Sequence, residues 1–181
     1  MRYSRSVKTL LVINELGLTQ EEIAQLPVVL KARAVLVTSE NMIVMTRERG
    51  ENNMYIHGVP GGKLEPGEIL TDGLVREIKE ETGYDCEILA ELGGIDVMRP
   101  TYVSRSMFWL ARTIGGQGAL AITEEERVVD FECVEYSYEQ GMEIIEREYA
   151  ETKHDISQRA LIALQMAKEL LKAKKEPDIK G

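Results

Sequence analysis

"PGGKLEPGEILTDGLVREIKEETGY", residues 60–84, collects Glu65, Glu68, Glu77, Glu80 and Glu81 behind a turn rich in glycine. Its second half reads as a helix from about Thr71 to Thr82, with Gly83 placed as the C-terminal cap. Each helical residue turns about 100°, so with Glu77 at 0°, Glu80 falls near −60° and Glu81 near 40°. Three carboxylates therefore share a narrow arc. Leu74, Ile78 and Val75, at roughly 60°, 100° and 160°, form a separate apolar face. Like charges at these spacings cost about 0.2–0.5 kcal/mol per pair, so positive charge is expected among them. Lys79 points away at about 200°, and Arg76 lies about 100° to one side. A divalent cation is the natural counter-ion, because Mg2+ prefers hard oxygen ligands and joins carboxylates to substrate phosphates. Gly61 and Gly62 let the backbone come close to a ligand, and Lys63 can meet phosphate as a point charge. Gly73 either leaves the metal-facing side of the helix open to phosphate groups or serves close packing.

The chain has 181 residues, 44% of them hydrophobic and 29% charged, which is the balance of a globular domain able to bury a sizeable core. Its formal charge of −9 speaks against duplex nucleic acid, whose binding rests on neutralising phosphates with Lys and Arg. Cys86 and Cys133 stand far apart with no C-x-x-C, so two reduced, mostly buried thiols are expected rather than a zinc site or a disulfide. No apolar run reaches transmembrane length and the first residues hold only a short apolar core followed by charge, which does not suit a signal peptide, so no membrane partner and a cytoplasmic location are expected.

Working outward, "TLLVIN" reads as a strand, and Thr19 with Glu22 has capping-box spacing. "ARAVLVTSENMIVMTRER" reads as a hairpin around Ser39–Asn41, and "GENNMYIHGVPGG" as a loop. Further strands are expected at "CEILAELGGIDVM", "RSMFWLARTI" and "VVDFECVEY". Two closing helices follow, the second with Ile156, Ala160, Leu164, Ala167 and Leu171 on one stripe. Together these predict an α/β fold with a mixed sheet and helices on both faces. Residues 1–29 read as an N-terminal strand-helix extension and 30–148 as the domain. Residues 149–176 read as a C-terminal helix packed on the domain or at a homodimer interface, and 177–181 as a tail.

The run from Gly62 to Tyr84 resembles the Nudix box of the MutT-like Nudix hydrolases, G-x5-E-x7-R-E-U-x-E-E-x-G-U, with every fixed position filled. A chance match at all of them has odds on the order of 10^-5. The resemblance implies an α/β/α sandwich that hydrolyses, with Mg2+ or Mn2+, a nucleoside diphosphate linked to another moiety. By it, Glu77, Glu80 and Glu81 hold the metal with the Gly61 carbonyl, Arg76 orients Glu77, and Gly62, Glu68 and Gly83 support the loop and helix. The general base is either a box glutamate or one on a later loop, where Glu125 and Glu126 are the candidates. Thr123 with Glu126 is equally a capping-box spacing.

Substrate signals are fewer. Pro100, sixteen residues past Tyr84, is similar in placement to a proline of ADP-ribose-cleaving members, whereas Tyr102 lies near a tyrosine of diadenosine-polyphosphate hydrolases. ADP-ribose or a related nucleotide sugar is the first expectation, and a diadenosine polyphosphate the second. Arg99 and Arg105 are candidates for a substrate phosphate and Tyr102 for base stacking. Phe108 and Trp109 are expected in the core, and His57 in solvent. The rival reading is a nucleotide sensor without catalysis, against which the complete box argues.

Overall fold

The computed structural model describes residues 8–50, 54–121 and 123–173. In chain order the elements are β1 (Thr9–Ile13), α1 (Gln20–Gln25), β2 (Val28–Val37), β3 (Ile43–Arg49), β4 (Tyr55–Gly58), β5 (Gly61–Lys63) and α2 (Leu70–Thr82). They continue with β6 (Asp85–Met98), β7 (Val103–Ile114), α3 (Glu124–Val128), β8 (Glu132–Tyr136), α4 (Tyr138–Thr152) and α5 (Asp155–Ala173). The strands form one mixed sheet in the order β1-β6-β7-β2-β3-β4, with β5 also paired to β2 and β8 to β3.

Strand β2 organises the sheet. It runs parallel to β7 over its whole length, from Val28↔Val103 to Val37↔Arg112. Its other edge is divided: Leu36 and Val37 pair with β3, while Lys31, Ala32 and Arg33 pair with β5. Because side chains alternate along a strand, β2 feeds both faces. Ala32, Ala34 and Leu36 pack with Met107, Trp109 and Leu74 and Ile78 of α2. Val35 and Val37 pack on the opposite face with Phe108, Ile145 of α4 and Leu164 of α5. Small alanines on the first face let α2 sit close to the sheet. The α/β/α layering is thus the expected one.

Several local expectations change. The segment expected as a loop contains β4 and β5, whose four and three residues are too short and too polar to show a period of two. The N-terminal segment joins the domain's own sheet, because β1 pairs in parallel with β6 at the sheet edge. Thr19 and Glu22 do form a capping box at α1. The α5 stripe is covered within the chain: Ala160, Leu164 and Ala167 are buried against the sheet, so it gives no reason to invoke a second copy. The tail at 177–181 lies outside the described residues. Among the described residues no helix is long and apolar enough to cross a membrane.

Leu164 is fully buried between α5 and the sheet. Leu164→Ala is expected to lower stability by about 2–5 kcal/mol. Urea unfolding at two protein concentrations should give the same loss at both. A concentration-dependent loss would instead place the stripe between subunits.

Candidate active site

Gly61 and Gly62 begin the site. Gly61 has φ 128°, and a Cβ there would stand 2.6 Å from Arg33 Cα; one on Gly62 would stand 2.7 Å from Glu77 Oε1. Only glycine lets β5 lie this close both to β2 and to a carboxylate of α2. The Gly61 N–H donates to Glu81 Oε2 at 2.8 Å, which ties the first residue of β5 to the last turn of α2. Gly83, at φ 72°, then ends the helix as its left-handed cap.

The positive charge expected among the glutamates is Arg76. Its Nε and Nη2 donate to Glu68 at 2.9 and 3.0 Å, and its Nη1 donates to both Glu77 Oε1 and Glu80 Oε2 at 3.0 Å. Nη2 also reaches the Lys63 carbonyl at 3.3 Å. One guanidinium thus serves three carboxylates, and Glu81 adds a fourth on the buried side. Hydrogen bonding from Arg76 holds the Glu68 carboxyl down at about 2, and its carboxylate partners raise Arg76 itself. Glu77 moves the other way: burial raises its pKa against the opposing pull of Arg76. Gly73 makes room for Glu68, since a Cβ there would lie 2.8 Å from Glu68 Oε2. This is side-chain packing rather than an opening for phosphate.

Beside Glu81 a cleft of about 120 Å³ is lined by Arg33, Thr46, Arg47, Gly58, Phe131 and Ile156. Arg47 Nε donates to Glu132 at 2.7 Å, and its guanidinium carbon lies 4.4 Å from the centre of the Tyr55 ring. Lys63, Arg99, Tyr102 and Arg105, the positions expected to meet substrate, do not line this cleft. The Lys63 side chain is exposed. Arg99 pairs with Asp155 at 2.9 Å, and Arg105 pairs with Asp96 through Nε at 2.7 Å. Arg105 alternates with Ser104 and Ser106 on β7 and therefore faces away from Arg99 and α5. Tyr102 is half-buried between β6 and β7, and its carbonyl accepts from the Arg99 N–H. Phe108 and Trp109 are core residues on opposite faces, as expected. The side chains of Glu125 and Glu126 lie outside the described residues.

His57 is not in solvent. It is 7% exposed; its Nδ1 lies 2.8 Å from Glu148 Oε2, and its backbone N–H also meets that carboxylate at 3.1 Å. The partner is 91 residues away in α4, so no local pattern announces it. Cys86 and Cys133 are partly buried free thiols, pushed by burial up to about 11 and 12. Sequence reading also passed over Arg33, Arg47 and Phe131. For Arg33 a signal existed: Lys31 and Arg33 alternate with alanines in an otherwise apolar strand, which puts two cations on a buried face.

The model of the NUDIX domain matches residues 29–158, most of the chain. The chain belongs to the Nudix family. A Bacillus subtilis (strain 168) protein, to which 8-oxo-dGTP diphosphatase activity is ascribed, is 31% identical over 90 residues, 50% of this chain and 58% of that one. A human 8-oxo-dGDP phosphatase is 34% identical over 83 residues, 46% of this chain and 25% of that one. The methanol dehydrogenase activator of Bacillus methanolicus is 44% identical over 54 residues, 29% of each chain. The chain thus matches from about a quarter to somewhat over half of these relatives' lengths. Among solved structures, an ADP compounds hydrolase superposes with a TM-score of 0.62 at 21% identity, over 81% of this Nudix chain and 74% of its own. A MutT protein from Methanosarcina mazei Go1 gives 0.54 at 16% identity, over 84% and 99%. At these identities the structures attest the fold.

Glu68 offers a pH test. Its folded pKa, about 2, lies below the usual 4.5, so its contribution is complete above about pH 4.5 and fades as pH falls toward 2. Glu68→Gln should therefore be less stable than the parent at pH 6, and the gap in melting temperature should shrink steadily between pH 5 and 3. A constant gap would count against the Arg76 pairing.

Proposed function

We propose that this Nudix chain is a pyrophosphohydrolase that uses a divalent cation, Mg2+ or Mn2+, to cleave a pyrophosphate bond in a nucleoside diphosphate linked to another moiety. The observation that carries this is charge: Glu68, Glu77 and Glu80 converge on a single guanidinium, and Glu81, held by the Gly61 N–H, stands on the wall of a cleft lined by Arg33 and Arg47. One guanidinium shared among three carboxylates leaves these short of positive charge. The half-buried Glu77 feels that shortage most, because a carboxylate in low dielectric needs a nearby positive charge to stay ionised.

The residues fit a cation by chemistry. As they stand, no three acidic side chains among the described residues converge on one ion, because Arg76 Nη1 lies between Glu77 and Glu80. Glu80 is 42% exposed. An exposed ion pair of this kind is worth about 0–1 kcal/mol, so exchanging the Arg76 contact for a cation costs little. Glu77, Glu80 and Glu81 would hold the ion, with the Gly61 carbonyl beside them. When bound, the cation supplies charge neutralisation of the diphosphate and a more acidic water.

The protein groups do the rest. Arg76 holds Glu77 in place while anchored on Glu68. Glu81, fixed by the Gly61 N–H, is positioned to accept a proton at the cleft wall. Arg33 and Arg47 favour a phosphate in the cleft, and Phe131 offers an apolar wall for a base. ADP-ribose or a related nucleotide sugar remains the first choice and a diadenosine polyphosphate the second. The names of the relatives add oxidised purine nucleotides to the candidates.

Glu80→Gln and Glu81→Gln are each expected to lower turnover by at least about 100-fold while retaining the parent's circular dichroism. The assay is product chromatography with Mg2+ or Mn2+ across these substrates. Near-parental rates in both variants would refute the assignment, and no turnover of any substrate by the parent would leave a nucleotide sensor.

A further inference from the structure

The sheet face beneath α5 carries more positive charge than the glutamate site uses, since of its cations only Arg33 also lines the cleft beside Glu81. Lys31 and Arg33 stand on that face of β2, and Arg159, 5% exposed, reaches toward it from α5. Arg159 Nη1 donates to Ser106 Oγ at 3.2 Å, and its Nη2 pairs with Asp155 at 2.8 Å. Arg99 pairs with the same Asp155. Arg99 and Arg159 thus share Asp155, and neither Lys31 nor Arg33 pairs with it. Burial together with Arg33, Arg159 and Arg99 drives the Lys31 ammonium down to about 8, and burial with Arg33 takes Arg159 down to about 10. Both shifts mark a place short of negative charge.

Three donors there are unused. Arg33 Nη1 donates to the Val59 carbonyl at 3.1 Å, but its buried Nε has no partner. Ser104 is 2% exposed and its Oγ has no partner either. Among the described residues Lys31 Nζ makes no hydrogen bond or ion pair. Buried polar groups are normally satisfied, and each exception asks for a cause. The register orders the three: Ser106 lies opposite Lys31 and Ser104 opposite Val29, so from Arg33 to the Ser104 level is four residues of strand, about 13 Å. Arg33 lines both the cleft beside Glu81 and a smaller cavity against Phe108 and Arg159. That cavity, about 10 Å³, is water-sized, so a larger anion belongs at the half-exposed Lys31.

We infer that Lys31, flanked by Arg33 and Ser104 and backed by Arg159, is an anion site that takes a phosphate or carboxylate group carried by the moiety linked to the nucleoside diphosphate. Assigning the anion to a substrate rests on the proposed hydrolase function. Anion binding itself does not.

Calorimetric titration of the metal-free protein with inorganic phosphate tests the site. The parent should bind one phosphate, Lys31→Met should bind it at least about tenfold more weakly, and Ser104→Ala should also weaken it. Glu169→Gln, on the exposed side of α5, should bind as the parent does. Absence of binding to the parent, or parental affinity in Lys31→Met and Ser104→Ala, overturns the inference. Two nucleotide sugars then separate the sources of the anion. UDP-glucuronate should exceed UDP-glucose in kcat/KM by about tenfold, and Lys31→Met should reduce that ratio toward one. A ratio near one in the parent overturns the substrate assignment in favour of free phosphate. No turnover of either sugar, or of the substrates tested above, refutes the hydrolase reading while the calorimetric result stands on its own.

Discussion

No side chain can be added at Gly61 or Gly62 without displacing Arg33 of β2 or Glu77 of α2. That steric constraint brings strand and helix together on the short ladder Lys31↔Lys63, Ala32↔Gly62 and Arg33↔Gly61. Ala32 and Ala34 extend the close approach on the helix face, with Leu74 and Ile78 seated against them. The Gly61 N–H is turned to Glu81, so a backbone donor left over from the strand stabilises a carboxylate on the helix. Packing and electrostatics here are one arrangement: relax the first and the glutamates lose their fixed positions.

The ladder also separates two opposite charge imbalances. On the α2 side Arg76 is shared among Glu68, Glu77 and Glu80. On the α5 side Asp155 pairs with Arg99 and Arg159 and also acts on Lys31. At an effective dielectric constant of about 20, unit charges 4 Å apart interact by about 4 kcal/mol, so neither cluster is neutral ground. On the proposed reading a cation would complete the acidic side and an anion the basic side. A net charge of −9 conceals this sorting, because composition sums charges that the sheet keeps apart.

The acidic half was legible in the sequence because it is local. Residues three and four apart on one helix must share a face, so Glu77, Glu80 and Glu81 could be brought together without knowledge of the fold, as could Gly83 at the helix end. The two core faces of the sheet were legible for the same reason. What stayed hidden depends on long-range pairing. Arg99 and Arg105 looked free until the fold supplied Asp155 and Asp96. His57 looked solvated until Glu148 arrived. Strands β4 and β5 are too short to carry a period, and only their neighbours define them. Gly73 could be read as an opening because the space it leaves is filled from an adjacent turn, by Glu68.

Glu148 shows how the two halves are held in register. It is buried on α4 and accepts from the backbone and ring of His57 and from the Ser157 hydroxyl. His57 lies in β4, three residues before the Pro60 that leads into Gly61, and its ring also approaches the Tyr136 hydroxyl of β8 at 3.3 Å. Ser157 lies in α5 between Asp155 and Arg159. A single carboxylate therefore fixes the strand that delivers the glycine turn and the helix that delivers Arg159 to the basic cluster. Removing one partner of such a network leaves the others buried and unpaired, which costs more than the bond itself contributes. That asymmetry binds β4 and α5 together, and with them the stretch of cleft wall where Gly58 and Ile156 lie side by side. The spacing between the acidic and basic centres is thus set by the core rather than by the loops that border them.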